Sequence, residues 1–217
     1  MADVRDSVTG LRPERVRENL DRVRERIAAA GREPGEVEVL AAIKYVPADE
    51  LSALAEGGIE LVGENRAQDL LAKQERHGEL FEWDFIGVLQ SRKVKDVAPN
   101  VRLIHTVASD SALRQLERHP AREVLVEVNV AGEEGKTGVA PEELGDFIDR
   151  CPVTVSGLMT MPPLVERPDD NRPHFARLAE LAAEHGLERL SMGTTQDFEA
   201  AVREGATIVR LGTVLYE

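Results

Sequence analysis

Apolar residues recur at intervals of three and four between Pro13 and Gly31, and this period predicts a helix over residues 13–30. Beyond it the pattern changes to short apolar runs separated by mixed, helically spaced segments. The runs predict strands over 37–43 (VEVLAAI), 59–63 (IELVG), 83–87 (WDFIG), 101–107 (VRLIHTV), 123–130 (EVLVEVNV), 153–159 (VTVSGLM), 189–193 (RLSMG) and 207–212 (TIVRLG). The segments between predict helices near 48–57, 66–77, 91–98, 110–118, 141–150, 173–185 and 196–204. Strands alternating with helices make a parallel sheet covered by helices. Eight of them favour an α/β fold closed as a (β/α)8 TIM-type barrel, here with an extra N-terminal helix. An open doubly wound sheet is the alternative, but IKYVPAD stands after the first strand where its glycine fingerprint should be.

Length and composition narrow this picture. A chain of 217 residues without a Ser/Gly-rich linker is expected to form one domain. The charged start, MADVRDSVTGLRPERVREN, lacks the apolar centre of a signal peptide, and no run is long enough to span a bilayer, so a cytoplasmic protein without a membrane partner is expected. The single cysteine, Cys151, has no partner for an intrachain disulfide and agrees with a reducing compartment. A formal net charge of −13 argues against a nucleic-acid partner. Any anionic ligand must then be held by a local device.

Arginine outnumbers lysine by twenty-two to five, and most arginines lie among glutamates at helical spacing, as on a solvated, ion-paired face. Lys73, Lys93, Lys95 and Lys136 fall in polar helical or loop surroundings; only Lys44 closes an apolar strand. In a barrel of this kind the chemistry sits where strands end and loops begin. Lys44 is therefore either a functional amine or a lysine marking the strand's exit into water.

The other strand ends add to this. SMGTTQD (191–197) runs from strand through glycine and two hydroxyl residues into a helix, and RLGT (210–213) ends the neighbouring strand with a glycine. Loops after strands seven and eight form the recurrent phosphate site of these barrels, although Thr194 or Thr195 would also serve as ordinary helix caps. Arg210 lies within an apolar strand and needs either a barrel carboxylate or a ligand. A lysine, an anion cup and an arginine on adjacent strands form the set that pyridoxal 5′-phosphate (PLP) requires: an amine for its aldehyde, a phosphate site and a group at its ring nitrogen.

The chain resembles the YggS/PROSC family of pyridoxal phosphate homeostasis proteins from about residue 11 to its end. The resemblance is carried by the strand-one lysine, GEN (63–65), G-x-L-Q-x-x-K in GVLQSRK, K-x-G in GKTG, GLMTMP, SMG followed by a hydroxyl residue and an aspartate, and GATIVRLGT. It implies a single PLP-binding domain over residues 1–217, like the alanine racemase barrel. It further implies that Lys44 forms the aldimine with PLP, that Thr195 and the backbone around Gly212 and Thr213 bind the phosphate, that Arg210 faces the pyridine nitrogen, and that Asn65 lies beside the cofactor. Departures are Thr194 and Thr195 where the family has methionine and serine, Asp84 where it commonly has histidine, and Tyr216 and Glu217 in place of phenylalanine and glycine.

The expected function is to store, deliver or regulate PLP, with effects on amino-acid and keto-acid balance and little catalysis. PLP-dependent apoenzymes are the expected recipients, and a monomer is expected. Burial and the like charge of Arg210 would favour the neutral Lys44 amine that attacks an aldehyde. An arginine at the ring nitrogen weakens PLP as an electron sink, and the acid/base tyrosine that alanine racemase takes from an additional domain has no counterpart here. If the strand persists, Tyr45 is expected on the face opposite Lys44, in a packing role. His105 is expected to be a satisfied barrel histidine, and no His, Cys and carboxylate spacing suggests a metal site. The alternatives are a PLP-dependent amino-acid racemase and a lysine Schiff-base aldolase that uses no PLP.

Overall fold

In the computed structural model, which describes residues 7–217, Pro13 opens the first helix as its position predicts. The first six residues of the charged opening stretch lie outside the described residues. Helix α1 (Pro13–Ala29) buries Val16, Leu20, Val23 and Ile27 on one face, each removal from water being worth roughly 1.5–3 kcal/mol. Gly31, at φ 97°, carries the chain out of the helix in a conformation that L residues rarely adopt.

Eight parallel strands follow: β1 (Glu38–Ala42), β2 (Leu61–Glu64), β3 (Glu82–Phe85), β4 (Leu103–Val107), β5 (Val124–Glu127), β6 (Val155–Met159), β7 (Arg189–Thr194) and β8 (Ile208–Leu211). Each pairs with the next, and β8 pairs with β1, closing the barrel. The helices between them are α2 (Leu51–Glu56), α3 (Ala67–His77), α4 (Val94–Val97), α5 (Asp110–Arg118), α6 (Leu144–Asp149), α7 (Arg172–Glu184) and α8 (Phe198–Arg203). The predicted closed barrel with an extra N-terminal helix is the observed one.

Strand alternation divides the apolar residues into two cores. On β1, Val39 and Ala41 face outward to the helices, whereas Leu40 faces inward to Leu61, Leu103, Leu125, Met159 and Ile208. This inner layer plugs the barrel. The remaining interior holds buried polar residues, among them Asp84, His105, Ser191 and Arg210.

The differences from the sequence expectation have local causes. The fifth strand stops at Glu127 because Asn129 brackets the following loop: its Nδ2 donates to the Glu133 carbonyl (2.9 Å) and its Oδ1 accepts from the Glu133 amide (3.2 Å). A last helix, α9 (Thr213–Tyr216), has too few residues to show a period. It is held by tertiary contacts, with Asn19 Nδ2 on α1 donating to the Leu215 and Glu217 carbonyls and the Tyr216 hydroxyl donating to the Ala42 carbonyl (3.0 Å).

Candidate functional site at the C-terminal ends of the strands

Because β1 pairs with both β2 and β8, and β8 with β7, the ends of these four strands are neighbours at one mouth of the barrel. Lys44, Asn65, Thr195, Arg210, Gly212 and Thr213 all belong to those ends.

Strand β1 stops at Ala42, and the amide of Val46 donates to the Ile43 carbonyl (2.9 Å), turning the chain at Lys44. Lys44 is exposed and forms no ion pair among the described residues. The desolvation expected of a strand-end lysine is therefore absent, because the turn carries the side chain into solvent. The ammonium lies 4.9 Å from the centre of the Tyr45 ring. The expectation that Tyr45 faces away from it fails for the same reason: strand alternation ends two residues before Lys44.

A second correction concerns Lys73. Its place on α3 suggested polar surroundings, yet the side chain is buried, pairs with the fully buried Glu64 and donates to the Ile43 carbonyl (2.7 Å). Glu64 also accepts from the Asn65 amide (2.8 Å). One buried ion pair thus anchors the turn that carries Lys44 and the half-buried Asn65. Gly87 is pressed against the same segment, and a Cβ there would stand 2.0 Å from the Asn65 carbonyl oxygen.

At the opposite side of the mouth, the Gly212 amide donates to the Thr195 hydroxyl (3.1 Å), joining the two segments read as an anion cup. Neither Thr194 nor Thr195 caps α8. Instead the Thr194 amide and hydroxyl both donate to the Asp197 carboxylate, which also accepts from Asn171 Nδ2 (2.8 Å). A Cβ on Gly212 would meet nothing within 4 Å, so the space beside it is open, while Thr213 is exposed at the start of α9. Gly193 is required at φ 89°, and a Cβ there would come within 2.7 Å of Ala201.

Arg210 is 6% exposed and donates to two neutral acceptors, the Ser191 hydroxyl (2.7 Å) and the Thr160 carbonyl (2.8 Å). It forms no ion pair among the described residues, so the carboxylate partner that could have explained it structurally is not there. Burial brings its pKa down to about 10, against the fields of Asp197 and Glu127, and it remains a cation at neutral pH. Glu127, which accepts from the Thr137 hydroxyl (2.7 Å), has its carboxyl pushed up by burial, against that hydrogen bond and the fields of Arg210 and Lys136.

Beneath Arg210 lies a polar chain that sequence reasoning missed. Ser191 Oγ is 2.8 Å from His105 Nδ1, His105 Nε2 is 3.0 Å from Asp84 Oδ2, and Asp84 accepts from Arg102 Nε (3.0 Å) and Nη2 (2.8 Å). His105 is a satisfied barrel histidine, as expected. Burial holds its pKa below the ordinary value despite the neighbouring carboxylate, with Arg210 and Arg102 acting in the same direction as burial. Burial would raise the Asp84 carboxyl, but the bonds from His105 and Arg102 outweigh it and hold it low. The available signal was polar residues at inward positions of apolar strands.

Residues 11–217 match the family model for the N-terminal domain of alanine racemase. A protein of Aquifex aeolicus named pyridoxal phosphate homeostasis protein is 42% identical, over 94% of this chain and 96% of its own. The structure of PipY from Synechococcus elongatus with PLP bound is 29% identical with a TM-score of 0.79, covering 93% of this chain and 100% of that one. Alanine racemase of Corynebacterium glutamicum shares the fold at a TM-score of 0.70 and 17% identity, with 98% of this chain matching 63% of that one. The chain belongs to the pyridoxal phosphate homeostasis family, and over residues 11–217 it matches the N-terminal domain of alanine racemase.

Proposed function

We propose that this protein binds PLP covalently through Lys44 and serves in PLP homeostasis by storing, delivering or regulating it, with little turnover of its own. The observation that carries the reading is Arg210, a buried cation that forms no ion pair among the described residues and lies beside an open anion cup. A guanidinium cannot readily shed its charge, and burial without a directly paired counter-charge is costly. A ligand bringing a phosphate and a ring-nitrogen acceptor answers both needs. The naming of the Aquifex relative and the PLP-bound PipY structure support this choice over other phosphorylated ligands.

When bound, PLP supplies an aldehyde electrophile conjugated to a ring that can withdraw electrons. Lys44 provides the amine for the aldehyde, its exposure at the mouth leaving it accessible. Thr195 and the backbone around Gly212 and Thr213 hold the phosphate, and Asn65 flanks the ring. Arg210 donates to the ring nitrogen and, as a cation, opposes its protonation. That limits electron withdrawal and favours a carrier over a strong catalyst. The Tyr216 hydroxyl is committed to the Ala42 carbonyl, and burial and the Glu64 field push its pKa up, so it is poorly suited to exchange protons.

Supply to PLP-dependent apoenzymes, a monomeric state, a single domain over residues 1–217 and a cytoplasmic location belong to the same proposal. No helix among the described residues is long and apolar enough to cross a membrane. Titration with PLP tests the reading. The native protein should acquire a visible absorption band that Lys44→Ala does not, and a native protein that PLP leaves colourless would end it. Racemisation at enzyme-like rates by the loaded protein would select the racemase alternative instead.

A further inference from the structure

The chain from Arg210 to Asp84 has only one arrangement of hydrogens that satisfies every member when His105 is neutral. Asp84, an acceptor only, takes the Nε2 proton of His105, which leaves Nδ1 as an acceptor. Nδ1 then takes the hydroxyl proton of Ser191, turning the lone pairs of Oγ towards Arg210 Nη1. Arg102 fixes the far end by donating to both carboxylate oxygens of Asp84. Asp84, His105 and Ser191 are fully buried, so no water competes for these roles.

We propose that Asp84 is a positioning residue for the cofactor: through His105 and Ser191 it fixes the orientation of Arg210, and so the hydrogen bond that Arg210 offers to the PLP ring nitrogen. This inference rests on the PLP reading above. Its consequence is an acid, three hydrogen bonds removed from the arginine, that sets its geometry without neutralising it. The Asp84 charge is matched locally by Arg102, so Arg210 keeps its own charge for the ligand.

An amide at position 84 cannot meet both demands. Arg102 needs two acceptor atoms, and His105 shares one of them. In Asp84→Asn the amide NH2 meets an Arg102 donor in either orientation: Nε when it replaces Oδ1, or Nη2 together with His105 Nε2 when it replaces Oδ2. Turned to His105, it forces the imidazole into the opposite tautomer, and the Ser191 hydroxyl loses its acceptor.

The test combines 15N NMR of the His105 ring with PLP titration. In native protein the ring should carry its proton on Nε2, and PLP should shift its signals although no ligand touches it. In Asp84→Asn a bond from Arg102 is lost in either orientation, so the His105 ring signals and the visible band of bound PLP should move, and PLP affinity should fall about five- to tenfold, the scale of one misdirected hydrogen bond. Asp84→Glu should recover part of the affinity. Ser191→Ala, which breaks the middle link with little change in volume, should reproduce the shifted band and serves if Asp84→Asn fails to fold. Native protein that binds PLP while both variants keep its band and affinity would overturn the inference alone. Native protein that never binds PLP would defeat the underlying reading as well.

Discussion

The Gly212 amide donates to the Thr195 hydroxyl across 3.1 Å, joining the end of β8 to the turn after β7. These two residues are the proposed heart of the phosphate cup. Thr195→Ala removes a polar contact to a charged group and should weaken PLP binding about ten- to hundredfold. Gly212→Asp, projecting a carboxylate into open space, should weaken it further through charge repulsion. Equilibrium titration followed by absorbance measures both, and unchanged affinity in the two variants would remove the cup from the site.

The Lys73–Glu64 pair makes a separate prediction, because it supports the turn carrying Lys44 without being proposed to touch PLP. Lys73→Met leaves Glu64 buried without its partner, and breaking a buried pair in this way costs about 3–5 kcal/mol. Chemical denaturation should show that loss. Slower reaction of Lys44 with PLP should accompany it, since the Ile43 carbonyl loses its anchor. A variant of native stability would contradict the structural role.

Gly87 offers a steric test. The Asn65 carbonyl oxygen would lie 2.0 Å from a Cβ at this position, a distance that backbone alone must relieve. Gly87→Ala should displace Asn65, weaken PLP binding and lower the melting temperature by several degrees, as expected for about 1–3 kcal/mol of overpacking. Paired melting curves and PLP titrations check it.

Acid should find the barrel's weak point at His105. Its folded pKa lies below the ordinary 6.5, chiefly through burial, so the unfolded chain binds a proton that the folded state resists. Its stabilising contribution is complete above about pH 6.5 and is lost as pH falls below that value. Asp84, held below its ordinary value, adds a loss at lower pH as it too becomes protonated. Denaturation midpoints measured from about pH 7 to about pH 5 should fall more steeply for native protein than for His105→Gln. Equal slopes would show that His105 does not govern this range.

The barrel was legible because its strands are apolar runs and its helices have a clear period; even the Pro13 and Gly31 boundaries of α1 could be read directly. The meeting of Lys44, Thr195, Arg210 and Gly212 at one mouth was legible because strand ends in such a barrel converge. What escaped was set by contacts distant in sequence. The exposure of Lys44 follows from a turn that no hydrophobic pattern encodes, and the burial of Lys73 follows from Glu64, nine positions earlier on another element. Asp84, His105 and Ser191 each looked like an isolated polar residue. Only closure of the sheet joins β3, β4 and β7 into one chain of hydrogen bonds. Helix α9 exists because Asn19 and the Ala42 carbonyl receive it, not because TVLY favours a helix.

That Lys44 is the amine holding PLP is read out by borohydride reduction of PLP-treated protein followed by peptide mass mapping. The visible band should be lost, and a stable phosphopyridoxyl adduct should appear on the peptide containing Lys44. An adduct found only on another lysine, or none at all, would contradict it.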